Sequence, residues 1–124
     1  MDMSGLLPSE TNRRVGDEDG EVRVLPLEDE EAAQLIDCLA VDTARATLAA
    51  LQDEAATASE LADAVNTSLQ NVRHHLEKLR EAGLIRVIGT KYSVKGREMK
   101  VYAPTRDSLV VCVGGATDRF ASAE

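Results

Sequence analysis

Aromatic residues are nearly absent from this chain of 124 residues, which has no tryptophan, two tyrosines and one phenylalanine. A core must therefore be built from leucine, valine, isoleucine and alanine, and a core this thin is often stabilised by oligomerisation. No apolar run approaches the roughly 18 residues of a membrane-spanning helix, and the acidic N-terminus lacks the pattern of a signal peptide. We expect a small cytoplasmic protein that does not engage a membrane.

Cysteine is also scarce, and Cys38 and Cys112 are too few for a disulfide scaffold. Two interpretations of this pair stay open: small buried apolar side chains, or a thiol switch within or between subunits. Catalysis needs a convergent Ser/His/Asp set, paired carboxylates in a cleft or a cofactor loop, and the sequence offers none of these. We therefore predict neither an enzyme nor a bound cofactor.

Basic residues are outnumbered by acidic ones, 14 against 22, and the net charge of −8 argues at first against a nucleic-acid partner. The charge is segregated along the chain, however. Residues 1–65 carry a net charge of −12, whereas residues 66–103 hold eight basic and three acidic residues, a net charge of +5. A basic stretch inside an acidic chain is typical of a binding face.

The acidic excess has an interpretation of its own. Only four of the 14 cations are lysine, while alanine, aspartate and glutamate are abundant. Such a surface resembles that of proteins from salt-loving archaea, where high internal salt screens the repulsion between like charges. We expect a halophilic, archaeal protein, with an ordinary acidic protein as the alternative.

Three segments are predicted along the chain. Residues 1–20 have little apolar content and form a disordered acidic tail. Residues 21–104 form one domain, which opens with a short strand or a packed lead-in around Val24. Residues 105–124 form a strand-like segment and tail, because the apolar run Leu109–Val113 has the length and β-branched content of a strand.

Helical spacing predicts two helices in the first half of the domain. One covers Leu27–Ala40, with the acidic run Glu28–Glu31 at its start, where negative charge favours a helix N-terminus. The second begins at Asp42, as an N-cap, and runs through Leu51. Their predicted inward residues are Ala32, Leu35, Ile36 and Leu39 in the first helix and Ala44, Leu48 and Leu51 in the second.

Two further helices have explicit start signals. Thr57 is followed three residues later by Glu60, a capping box, and Thr67 with Gln70 repeats that spacing after a break at Asn66. The fourth helix, 67–82, turns four apolar residues inward and ends before a glycine. Two capped helices joined by about three residues make a helix-turn-helix. The inward residues are Leu69, Val72, Leu76 and Leu79, and the closing glycine is Gly83.

After Gly83 the pattern becomes strand-like, with runs at Leu84–Ile88 and Met99–Ala103. The best turn between them is Lys95-Gly96, which would set Tyr92 opposite Met99. Gly89 is a competing break. A hairpin directly behind a helix-turn-helix is a wing, here predicted over residues 89–98.

The stretch from residue 57 to 104 resembles the winged helix of archaeal and bacterial ArsR-like transcription regulators. The resemblance lies in Ser59–Ala62, Asn71–Leu79, Ala82–Ile85 and the wing Tyr92–Tyr102, the last of these similar to haloarchaeal members. It implies an α+β, mainly α fold: a winged helix-turn-helix, that is, a helical bundle with a two-stranded β wing. It also implies a homodimeric, sequence-specific regulator of transcription, expected to act as a repressor on double-stranded DNA.

The residues that would touch DNA lie on the exposed face of the fourth helix and on the wing. Asparagine and glutamine pair with adenine, arginine pairs with guanine, and the helix N-terminus attracts phosphate. The alternatives are a solvated polar face on the helix and, on the wing, charges that block sheet aggregation. The candidate DNA contacts are Ser68, Gln70, Asn71, Arg73, His74 and Lys78 on the helix and Lys91, Lys95 and Arg97 on the wing.

Metal binding is not expected. Adjacent histidines on a helix point about 100° apart, so His74 and His75 cannot converge on one ion. The resemblance implies instead that His75 packs partly buried while His74 leans toward DNA. Some family members sense metals through a Cys-x-Cys pair before the recognition helix, but Ser59–Val65 contains no cysteine. A protein-binding winged helix, whose basic face docks an acidic partner, remains the alternative to DNA binding.

Overall fold

The structure, a computed structural model, describes residues 20–114, so the predicted tail falls outside the described residues except for Gly20. Four helices and five short strands make up this part of the chain, an α+β, mainly α fold as predicted. In chain order they are β1 (Val22–Pro26), α1 (Glu30–Leu39), α2 (Asp42–Asp53), β2 (Ala56–Thr57), α3 (Ala58–Ala64), α4 (Leu69–Glu81), β3 (Ile85–Tyr92), β4 (Glu98–Pro104) and β5 (Ser108–Cys112). None of these helices is long and apolar enough to cross a membrane.

The chain divides into two compact units. One runs from Pro26 to Thr105 and holds the four helices and a three-stranded sheet of order β2-β4-β3. The other is built from the segments on either side, whose described part is a two-stranded sheet of β1 and β5. There Ser108 donates its N–H to the carbonyl of Glu21 at 2.9 Å. The strand predicted near residues 109–113 is therefore confirmed, whereas its pairing with β1 was not foreseen.

The helices of the larger unit bury an aliphatic core without aromatic residues. Burial on α4 follows the helical period, and Val72, Leu76 and Leu79 are almost completely buried. Leu69 was predicted to face inward but is 38% exposed. The reason is its position as the first residue of α4. Side chains on a helix lean toward its N-terminus, so Leu69 leans past the helix end toward solvent.

The first two helices differ from their predicted starts. Asp42 is the first residue of α2 rather than its cap, since Val41 holds the N-cap position and no side chain caps the helix. The Asp42 carboxylate instead binds the guanidinium of Arg45. In α1 the predicted inward face is only partly covered, because Ala32 is buried whereas Ile36 is 46% exposed.

The hairpin register differs by one residue from the predicted one. Tyr92 pairs with Glu98, whereas Met99 was the predicted partner. The connection is the cause: its three residues, 94–96, replace the two-residue Lys95-Gly96 turn, and the extra residue displaces the whole outer ladder. The break predicted at Gly89 is a register shift between Val87 and Gly89, which leaves β3 continuous.

A third strand of this sheet was not predicted. Ala56 and Thr57 form β2, and they pair antiparallel with Tyr102 and Val101 of β4. A strand of two residues carries no periodic signal, so it cannot be predicted from the pattern of apolar residues. Its effect is structural: β2 leads directly into α3, and the start of the helix-turn-helix is thereby joined to the base of the hairpin.

Candidate nucleic-acid interface

The first helix of the helix-turn-helix, α3, begins with a reciprocal capping box. The Thr57 hydroxyl accepts the N–H of Glu60 at 3.2 Å, while the Glu60 carboxylate accepts the N–H of Thr57 at 2.9 Å. These bonds satisfy two backbone donors that a helix start would otherwise leave free. At the other end of α3, Asn66 has a φ of 58°, a left-handed conformation that asparagine tolerates. Both predicted signals, the capping box and the break, are confirmed.

The N-cap of α4 lies one residue later than the predicted capping box places it. Ser68 is its N-cap, and its hydroxyl accepts the N–H of Asn71 at 3.0 Å. The predicted Thr67–Gln70 capping box is not formed. The turn explains this, because the N–H of Thr67 donates back to the carbonyl of Ala62 at 3.0 Å and keeps this residue in the turn. The Thr67 hydroxyl instead accepts the Asn71 side-chain amide at 3.0 Å.

The exposed face of α4 collects the predicted contact residues of the helix. Gln70, Arg73 and His74 are exposed and follow the N-cap Ser68 within the first two turns. Asn71 is half-buried, and its amide is already engaged with Thr67. No acidic residue stands in the first turn of α4. Its positive dipole end therefore carries no neutralising charge of its own.

The two adjacent histidines have different environments. His75 is buried beside the core leucines, and its ring lies 5.3 Å from that of exposed His74, at an interplanar angle of 65°. Burial lowers the pKa of His75 below the usual histidine value, and the neighbouring charge of His74 lowers it further. His75 is thus a neutral packing residue at physiological pH, as the resemblance implied. No cluster of three or more metal-ligating side chains occurs within residues 20–114.

The tip of the hairpin is a short loop held by hydrogen bonds. The N–H of Ser93 donates to the carbonyl of Arg97 at 2.9 Å, and the N–H of Gly96 donates to the carbonyl of Ser93 at 2.8 Å. The Ser93 hydroxyl also accepts the N–H of Arg97 at 3.1 Å and that of Lys95 at 3.3 Å. Gly96 has a φ of +82°, the left-handed position of a three-residue hairpin loop. The side chains of Lys95 and Arg97 are exposed.

Two lysines among the predicted contact residues also interact with the protein itself. The ammonium of Lys91 lies 2.8 Å from the Glu60 carboxylate, an ion pair between β3 and α3. Lys78 lies near enough to Cys38 for its charge to lower the thiol pKa, although burial is the larger influence and the pKa is raised overall. The sequence had no signal for the Glu60–Lys91 pair, because the partners are 31 residues apart. Cys38 and Cys112 are both free thiols.

The elements and their order define a winged helix-turn-helix: two capped helices, a glycine-closed second helix and a hairpin wing. The model of a helix-turn-helix domain family matches residues 39–88, which include α2, α3, α4 and the first four residues of β3. Among curated proteins, no sequence matches the chain significantly.

Solved structures with the same fold cover most of the chain. NolR from Sinorhizobium fredii superposes with a TM-score of 0.51 at 20% identity, covering 98% of this chain and 92% of NolR. A homodimeric winged helix-turn-helix DNA-binding domain from Mycobacterium bovis, described as a possible ArsR-family transcriptional regulator, gives 0.51 at 16% identity, covering 76% and 74%. Reduced HlyU from Vibrio cholerae gives 0.49 at 23% identity, covering 60% and 73%. The chain is similar in its fold to NolR and to the Mycobacterium bovis domain.

Proposed function

We propose that this protein is a DNA-binding regulator of transcription of the ArsR-like type. The observation that carries the proposal is the start of α4, where Gln70, Arg73 and His74 are exposed within the described residues 20–114. A recognition helix places such residues against base edges in the major groove. The helix-turn-helix domain match over residues 39–88 supports this use of the fold.

In this proposal both α4 and the wing contact DNA. Ser68 and the backbone N–H groups beside it face phosphate, while Gln70, Asn71, Arg73 and His74 face bases. Lys95 and Arg97 at the loop contact the backbone or the minor groove, where wing cations add affinity without sequence preference. Lys78 adds a positive charge at the far end of α4.

We further propose that the protein binds DNA as a homodimer. Leu27, Ile36 and Val41 lie before, within and after α1, and each is nearly half exposed. Apolar side chains of this size favour a partner surface when several occur close together in the chain. The Mycobacterium bovis domain of the same fold is homodimeric. Two-fold symmetry would present two recognition helices to half-sites about one helical turn apart.

The dimer is tested by sedimentation at a series of protein concentrations. Ile36→Asp should shift the population to monomers and leave the circular dichroism spectrum unchanged, because this side chain is only partly buried. Ala46→Asp, at an exposed position of the neighbouring helix, adds the same single negative charge and is the control for charge alone. A monomeric wild type at every concentration would remove the dimer from the proposal.

DNA binding is tested by fluorescence anisotropy with a labelled duplex from the upstream region of the gene and a scrambled duplex. Preference for the upstream duplex that persists to molar KCl would support sequence readout by a halophilic, archaeal regulator. Binding that is equal for both duplexes and lost at moderate salt would leave only non-specific electrostatics. A protein partner for the basic face would then become the better explanation. Loss of reporter expression on binding would distinguish a repressor from an activator.

A further inference from the structure

Glu60 has two roles in the structure, one for each oxygen of its carboxylate. One oxygen accepts the N–H of Thr57 at 2.9 Å and completes the cap of α3. The other accepts the ammonium of Lys91 at 2.8 Å, on the outward half of β3. A single side chain thus connects the first turn of the helix-turn-helix with the wing.

Within the described residues 20–114, few other contacts fix the position of the wing. We call residues 90–100 the outer hairpin, because β2 pairs with β4 only at Val101 and Tyr102 and the hairpin extends beyond that edge. Most side chains of the outer hairpin are exposed, including Thr90 and Tyr92 on β3. Little apolar burial therefore fixes the direction of the outer hairpin, and a polar attachment has a correspondingly larger effect on its position.

The geometry of Glu60 makes that attachment effective. Exposed ion pairs are usually weak because both side chains lose freedom when they meet. The Glu60 carboxylate is already held by Thr57, so most of this loss falls on Lys91 alone. The hydrogen bond from Lys91, followed by that from the Thr57 backbone, keeps the pKa of Glu60 below the usual glutamate value. The carboxylate is therefore charged at any pH near neutrality.

We infer that Glu60 is a positioning residue for the wing, and that Lys91 is the attachment point of the outer hairpin rather than a phosphate contact. This inference rests on the proposed DNA-binding function. Through the Glu60–Lys91 pair, the direction of Lys95 and Arg97 is set relative to the helix-turn-helix. The sequence had placed Lys91 among the DNA contacts, and the ion pair gives it a different role.

The test separates an attachment point from a phosphate contact by the sign of the effect. Glu60→Gln retains an oxygen for the Thr57 N–H and removes the charge that holds Lys91. Asp63→Asn removes one carboxylate charge from the same helix at an exposed position and is the matched control. Binding of the upstream duplex is measured for both variants across a salt series. If Glu60 positions the wing, Glu60→Gln weakens binding about two- to fivefold relative to the control.

Lys91→Gln should produce the same loss, and the double variant should lose no more than either single one. The slope of log affinity against log salt should stay unchanged, because no phosphate contact is removed. A phosphate contact at Lys91 would give the opposite pattern. Glu60→Gln would then bind more tightly than Asp63→Asn, and Lys91→Gln would reduce the slope by about 0.9. Either result would overturn the inference.

A measurement without DNA keeps the inference independent of the proposed function. Amide hydrogen exchange over residues 90–100 should be faster in Glu60→Gln and in Lys91→Gln than in the wild type, and unchanged in Asp63→Asn. Equal exchange in all four proteins would show that the ion pair does not hold the wing. If the wild type binds neither duplex, the proposed function fails while the exchange result still decides the role of Glu60.

Discussion

The two parts of the candidate interface are held in place by different forces. α4 is fixed by burial, with Val72, Leu76 and Leu79 almost inaccessible to water. The outer hairpin is fixed by backbone pairing, by the hydroxyl of Ser93 in its loop and by the ion pair of Lys91. Burial is strong and is not screened by salt, whereas exposed polar attachments are weaker and respond to salt and pH. α4 is therefore the rigidly held part of the candidate interface, and the wing is the part whose position can adjust.

The largest expected effect comes from removing buried side-chain atoms that hold α4 in place. Leu79→Ala creates a cavity at a completely buried position and should lower the free energy of unfolding by about 2–5 kcal/mol. Leu69→Ala removes the same atoms from a side chain that is 38% exposed and should cost only about 1 kcal/mol. Urea denaturation measures both. Similar losses for the two variants would mean that the buried and exposed faces of α4 are wrongly assigned.

The next largest effect distinguishes the contribution of α4 to DNA affinity from that of the wing. Arg73→Ala should weaken binding of the upstream duplex by about 1–3 kcal/mol and relax its sequence preference. Lys95→Ala should weaken binding to the upstream and scrambled duplexes alike and reduce the salt slope by about 1. Anisotropy titrations of both variants at several salt concentrations provide the comparison. If both changes act equally on the two duplexes, α4 is not the element that reads sequence.

The helix starts were predictable where short-range chemistry decides them. The Thr57–Glu60 capping box involves residues three apart, and it forms as the sequence indicates. At α4 two hydroxyl residues compete for the cap. Ser68 takes it because the N–H of Thr67 is committed to Ala62 across the turn, a bond that the sequence alone does not reveal. The predicted helix 67–82 was accordingly longer than the observed one by two residues at its start and one at its end.

Pairing between residues far apart in the chain could not be predicted from the sequence. The hairpin was evident from its β-branched runs, yet the three-residue loop displaced the register. The two-residue strand β2 and the Glu60–Lys91 pair depend on residues brought together only by the fold. The candidate DNA contacts were chosen by residue type. Those at the start of α4 and at the hairpin tip lie on exposed surface except for the half-buried Asn71, and Lys91 is engaged in an ion pair with Glu60.

A smaller effect compares the two caps. Thr57→Ala removes a hydroxyl that is buried and part of a two-way box, whereas Ser68→Ala removes a one-way, exposed cap. Both should destabilise the protein by about 1 kcal/mol, with the larger loss at Thr57. Thermal unfolding of the two variants measures the difference. A larger loss at Ser68 would show that the start of α4, not that of α3, limits the stability of the helix-turn-helix.

Backbone strain in the wing loop should have an effect of about 1 kcal/mol. Gly96→Ala forces a Cβ into a left-handed position, although no atom within 4 Å would clash with it. The strain should appear as faster amide exchange in the outer hairpin and weaker binding to both duplexes, while α4 stays protected. Asparagine tolerates this conformation better, so Gly96→Asn is the control. Its exchange rate and DNA affinity should lie between those of the wild type and Gly96→Ala. Exchange that rises in α4 as well would contradict the separation of helix and wing.

The smallest effect is a pH dependence that distinguishes the buried part of the interface from the exposed one. Because the folded protein lowers the pKa of His75, chiefly by burial, folding favours its neutral form. Stability is therefore fully present above the unfolded pKa of about 6.5 and declines as the pH falls through the lower folded value. His75→Gln should flatten the unfolding free energy between pH 7 and pH 5, measured by urea denaturation at each pH. Glu60 also has a lowered pKa, but its contribution disappears only below the usual carboxylate range, so Glu60→Gln should leave the slope between pH 7 and pH 5 unchanged. A slope that persists in His75→Gln would assign the titration to another group and weaken the case that the core of α4 controls its response to pH.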